Sequence, residues 1–170
     1  MVVRPQRASG VDAPDSTREV SIEVVYVDEH LMELAAVVAA GGWRGQATAY
    51  TVPADVARFA NALLRFTDGG PPAAFEAGAD TGIGLIGLRF YRVDRAGHIA
   101  GHARLATGGV PTKHRPEQVS RLAVEFGAEA WAVGQFARQL AEVARTQAGR
   151  ASLAIDAEAE PGAAADGGGG

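Results

Sequence analysis

Three histidines, His98, His102 and His114, are the residues whose type could support metal chemistry. His98 and His102 share a face of one strand. Four residues of strand span about 13 Å, too far for one zinc ion with bonds of about 2 Å to take both. The i, i+4 spacing of histidine ligands belongs to helices, so solvent-facing strand histidines are the simpler reading. Gly82-Ile-Gly-Leu-Ile-Gly87 has the spacing of a dinucleotide fingerprint, but that motif follows a strand and opens a helix. Here it runs into Leu88-Arg-Phe-Tyr-Arg-Val93, itself a strand, where glycines mark bulges or close backbone packing. Ser120 has no G-x-S-x-G around it. Asp28, Glu29 and Glu33 with His30 read as a polar turn between strands. Trp43 and Trp131 each open an apolar element, which favours core or edge packing over ligand stacking. The expectation is a non-enzyme, with no catalytic residues, no metal and no cofactor.

The totals narrow the classes further. The 170 residues suit one domain plus tails. There is no cysteine, hence no disulfide framework, thiolate metal site or cysteine nucleophile. This agrees with a reducing cytoplasm, the expected location. No signal peptide is expected at the N-terminus. The longest apolar stretch, Leu31–Ala40, is interrupted by Glu33 and falls far short of a membrane span. The net charge of −4 comes from the ends: of 16 bases and 20 acids, two bases and six acids lie outside Arg18–Arg150, which is neutral. A nucleic-acid binder shows a basic excess, so no nucleic-acid partner is expected.

The elements that position these residues follow from periodicity. Residues 1–17 lack periodicity and read as a disordered extension. Glu19–Asp28 alternates as a strand, with Val20, Ile22, Val24 and Tyr26 on one face. Leu31–Ala40 and Trp43–Val52 are its successors, joined through Gly41-Gly42. Pro53 then opens a helix to Phe66, with Asp55 in its first turn and Val56, Phe59, Ala60 and Leu63 as its apolar stripe. Four strands follow, at Ala73–Ala77, Gly84–Val93, His98–Ala106 and Gln118–Phe126. Asp94–Gly97 is the tight connection between the second and third. A second helix covers Ala128–Ala148, with Val133, Phe136, Leu140 and Val143 inward and Gly149 as its stop. Residues 151–170 read as a disordered acidic, Gly-rich tail, which leaves one globular domain at 18–150. No internal repeat is expected. Short connections favour antiparallel pairing. The fold class is therefore α+β: a mainly antiparallel sheet of about six to seven strands with two amphipathic helices, in the order βββαββββα.

This arrangement leaves a surface as the site. If the strands carrying Arg89 and Tyr91, His98, His102 and Arg104, and Arg121 and Glu125 are neighbours, these side chains form one outward patch. Arg and Tyr are the types enriched at binding hot spots, so the seven residues are the candidate partner-binding set.

The pattern resembles the WapI-type immunity proteins and related uncharacterised domains of actinobacteria. The likeness rests on Trp43-Arg-Gly-Gln-Ala through Tyr50-Thr51 into Pro53-Ala-Asp-Val-Ala-Arg-Phe59, and on the strand–turn–strand Leu88–Ile99. Its third part is the last strand to Phe126 with the helix carrying Phe136 and Leu140. It covers about Glu19–Ala148 and brings no catalytic residues. It implies a cytoplasmic protein that binds and neutralises a cognate toxin domain, so the expected partner is a protein. The alternative expectation is a small-ligand site or enzyme pocket near Trp43, Tyr50, His98 or His102.

Overall fold

The computed structural model describes residues 18–79, 84–108 and 115–156. The expected N-terminal extension, His114 and residues 157–170 of the expected tail lie outside these. The first strands are β1 (Glu19–Val27), β2 (Met32–Ala40) and β3 (Trp43–Thr51), followed by helix α1 (Pro53–Thr67). Then come β4 (Ala73–Gly78), β5 (Gly84–Arg92), β6 (Ile99–Thr107), a 3-10 turn (Pro116–Gln118) and β7 (Ser120–Ala128). Helix α2 (Ala130–Thr146) and strand β8 (Arg150–Ala154) complete the described elements. The class is α+β and all strand pairing is antiparallel, as expected. Among the described residues the strands number eight and form two four-stranded sheets, ordered β3-β2-β1-β8 and β4-β5-β6-β7.

The eighth strand corrects the expected domain boundary at Arg150. Ala151, Leu153 and Ile155 are buried, and β8 pairs with β1 from Glu19↔Ala154 to Glu23↔Arg150. Arg150 reaches Glu19 at 2.5 Å across the pair. The helix before it ends at Thr146, short of the expected Ala148. Gln147 takes the left-handed conformation (φ 52°) and returns its N–H to the Val143 carbonyl at 2.8 Å. Gly149 (φ 87°) then turns the chain into β8.

The two halves repeat one connectivity, against the expectation of no repeat. β1-β2-β3-α1 is followed by β4, and β5-β6-β7-α2 by β8. Each strand after a helix pairs with the first strand of the other half's meander: β4 with β5, β8 with β1. The stripe Val56, Phe59, Ala60, Leu63 on α1 recurs as Val133, Phe136, Ala137, Leu140 on α2, all buried. The helices also pack against each other.

A chain of aromatic rings ties the halves together. Phe75 of β4 stacks on Phe59 of α1 at 5.2 Å, and Phe59 lies 6.3 Å from Phe90 of β5. Phe90 meets Phe126 of β7 edge-on at 6.0 Å and Phe136 of α2 at 6.5 Å. Phe90, Gly101 and Phe126 are register partners in one row, and a Cβ at Gly101 would lie 2.3 Å from the Phe126 ring. The glycine thus opens the space through which Phe126 reaches Phe90. Arg92, the last residue of β5, donates to the carbonyls of Phe66 (2.6 Å) and Gly70 (3.2 Å). Its guanidinium sits 4.5 Å over the Phe66 ring. It therefore satisfies carbonyls at and just beyond the negative end of α1 and joins that helix to the second sheet.

At one corner the sheets meet backbone to backbone. A Cβ on Gly84 would lie 1.9 Å from the Thr48 carbonyl oxygen of β3. Gly78 (φ 76°) is equally closed, its position for a Cβ lying 2.0 Å from the Gly84 carbonyl oxygen. Gly84 of the fingerprint-like run is thus a packing glycine, while Gly82 lies outside the described residues.

Candidate surface on the second sheet

β5, β6 and β7 are neighbours, so the strand alternation read from the sequence places six of the seven candidate residues on one sheet face. Arg89, His102 and Glu125 are direct partners across the three strands. One row toward the β5–β6 hairpin is Tyr91, opposite Ala100. One row the other way, Arg104 stands between Gly87 and Ala123, and beyond it Arg121 pairs with Ala106. Rows on one face repeat every two residues, about 6.7 Å, so Tyr91 to Arg121 spans about 20 Å and the three strands about 10 Å.

His98 departs from the expectation. β6 begins at Ile99, and His98 closes the hairpin turn, accepting from Val93 N–H through its carbonyl at 2.9 Å. Asp94 organises that turn: its Oδ1 accepts from the N–H groups of Gly97 (2.9 Å) and His98 (3.2 Å), and its Oδ2 meets His98 Nδ1 at 2.5 Å. This carboxylate, followed by its charge, raises the His98 pKa above 6.5, and the same contact lowers that of Asp94 below 3.8. Gly97 has φ 93°, as the turn requires.

On the sheet itself, the Tyr91 hydroxyl donates to Glu125 Oε2, reaching diagonally over β6. That bond to the carboxylate raises the phenol's pKa above 10.0, with desolvation adding to it. Arg89 stacks on the Tyr91 ring, its guanidinium carbon 5.0 Å from the centroid. Arg104 approaches Glu76 of β4 at 3.6 Å across the side-chain-free Gly87. The face thus carries three guanidiniums and one imidazole against two carboxylates. Each paired carboxylate is exposed, so these contacts fix orientation more than they stabilise.

The residues named for the alternative pocket are spread over both sheets. Trp43 belongs to the first sheet and pairs with Ala40, whereas His102 belongs to the second and His98 to its β5–β6 turn. Two shallow concavities lie elsewhere. One, of about 330 Å³, runs between α1 and α2 beside Pro53, Asn61 and Arg145. The other lies along α1 and β4 beside Arg58 and Glu76. Trp43, Tyr50, His98 and His102 line neither. Among the described residues, no three His, Asp or Glu side chains converge as metal ligands. Asp28 spends its Oδ1 on the N–H groups of His30 and Leu31 at 2.7 and 2.8 Å, which lowers its pKa and makes the expected polar turn. Trp43 and Trp131 are 66% and 64% exposed, so neither enters the core.

One exposed group escaped the sequence reading. A bulge at Val25 shifts the β1–β2 register, so Tyr26 pairs with Glu33 instead of continuing the inward face of Val20 and Ile22. Tyr26 is 50% exposed, together with Val25, Val27, Leu31 and Tyr50 at the same end of the sheet. Val24-Val25-Tyr26-Val27 is apolar at every position, so alternation alone could not show where the phase changes.

No significant match exists between this chain and protein-family models, curated proteins or solved structures. No described helix is long and apolar enough to cross a membrane.

Proposed function

We propose that this is a non-enzymatic protein-binding domain of the immunity type, which neutralises a toxin domain in the cytoplasm by docking the outer face of β5-β6-β7 on it. The observation that supports this reading is the Arg89–His102–Glu125 row with Tyr91 held beside it. It is a built, solvent-facing constellation of hot-spot residue types, and it lines neither of the two described concavities. At about 20 by 10 Å the patch suits the centre of an interface. A standard interface buries about 800 Å² on each partner, so neighbouring surface must contribute the rim.

The test is co-purification of the full chain from its native host, followed by the same experiment with alanine at Arg89, Tyr91, His102 and Arg104 together. A stoichiometric polypeptide partner that the quadruple variant loses, while its melting temperature is kept, supports the reading. A partner bound equally by the variant sinks the assignment of this face. A bound metabolite with no polypeptide sinks the class.

A further inference from the structure

We infer a second recognition site, on the first sheet: Tyr26, Glu33 and Tyr50 form a slot for an arginine side chain of a polypeptide. It is independent of the second-sheet reading, since it uses the opposite half of the fold and different chemistry.

The geometry follows from register. Tyr26 pairs with Glu33, and Glu33 with Tyr50, across three adjacent strands. Directly opposed residues share a face, so two phenol rings flank one carboxylate. Neighbouring strands lie about 4.8 Å apart, which sets the tyrosine backbones about 10 Å from each other with Glu33 midway. Tyr26 and Tyr50 are 50% and 41% exposed, and Glu33 is half-buried between them. Among the described residues none of the three side chains has a hydrogen-bond or ion-pair partner. The neighbouring row is Glu23, Ala35 and Thr48, so the floor continues over a small residue with a second carboxylate at its side.

Acids predominate around the slot. Glu23 flanks it, Asp28 and Glu29 stand in the adjoining turn with His30, and Arg150, opposite Glu23 in the next row, is paired with Glu19. Arg44 lies at the far end of β3, opposite Ala39. The turn is fixed by the Asp28 bonds to His30 and Leu31, so the aromatic wall is held before a ligand arrives. A guanidinium stacks on aromatic faces and pairs with a carboxylate in its own plane. Two rings with a carboxylate between them satisfy both demands at once. A carboxylate or phosphate ligand would meet repulsion, and an apolar side chain would leave Glu33 facing it without a partner.

The probe is acetyl-Gly-Gly-Arg-Gly-Gly amide, titrated into the full-length protein by NMR, with its citrulline counterpart as the uncharged isostere. The arginine peptide is expected to shift resonances of Tyr26, Glu33 and Tyr50 together, and the citrulline peptide to leave them in place. Glu33→Gln should weaken binding at least tenfold and Tyr50→Ala should abolish it, both with unchanged melting temperature because the residues lie on the surface. Equal responses to both peptides, shifts scattered over all acidic residues, or full binding by Glu33→Gln would overturn the site.

Discussion

Replacing Gly84 by alanine tests the junction between the two sheets. The added methyl carbon would lie 1.9 Å from the Thr48 carbonyl oxygen and 3.2 Å from its carbon. The obstacle is backbone held in the β2–β3 ladder, so no rotamer change can relieve it. Ordinary contact needs more than an ångström of separation, which must come from moving β3 off β5. Overpacking of this kind costs about 1–3 kcal/mol, and the backbone obstacle puts Gly84→Ala at the upper end, about 3 kcal/mol. For a domain of this size that is a fall of about 10 °C in melting temperature. Gly87 supplies the control on the same strand. Its Cβ would stand 3.5 Å from that of Arg104, an ordinary contact, and its φ is not in the left-handed region. Gly87→Ala should leave stability unchanged or raise it by up to about 1 kcal/mol, because glycine is a poor strand residue. Thermal melts followed by circular dichroism of the two variants decide the matter. Equal melting temperatures would refute the backbone-contact argument, whichever way both moved.

Three further outcomes follow from the structure. Ending the chain after Gly149 removes β8 and uncovers Val20 and Ile22, losing about 1.5–3 kcal/mol for each of Leu153 and Ile155; the truncated chain should melt without a cooperative transition, and a sharp native-like melt would contradict this. Gly101→Ala forces the Phe126 ring away from Phe90; ring-proton NMR should show loss of the Phe90–Phe126 contact, and an intact contact would show that β6 can yield instead. For the Asp94–His98 pair, the raised His98 pKa makes its contribution complete below 6.5 and lost as pH rises through the folded value. The lowered Asp94 pKa makes its contribution complete above 3.8 and lost as pH falls through the folded value. The stability advantage over Asp94→Asn should therefore be a plateau between these limits, and His98 in that variant should titrate nearer 6.5 by NMR; an unshifted His98 would exclude Asp94 as the cause.

Much of this architecture is written locally. The face carrying Arg89, His102 and Glu125 was legible because these side chains alternate with Leu88, Phe90, Ala103, Val124 and Phe126, and β5, β6 and β7 are consecutive, so pairing could be read from order alone. β8 was not. It is five residues long, sits among Ala and Gly beyond a helix stop, and has its partner at Glu19, almost the whole domain away. The division into two sheets is hidden for the same reason, since β4 and β8 choose partners in the other half. The repeat did leave a trace, in the recurrence of Val-x-x-Phe-Ala-x-x-Leu on both helices. The Tyr26 slot depends on a bulge that a uniformly apolar run cannot reveal.

The exchange of β4 and β8 sets the order in which the molecule can be completed during synthesis. The second sheet has all its strands once β7 has emerged. The first sheet must wait, with the β1 edge open, until Arg150–Ala154 leave the ribosome and pair with Glu19–Glu23. Such distant closure slows folding and leaves an unpaired strand exposed to other nascent chains in the meantime. The rate-limiting event of folding should then be the capture of Arg150–Ala154 by Glu19–Glu23, the seam that joins the eighth strand to the first.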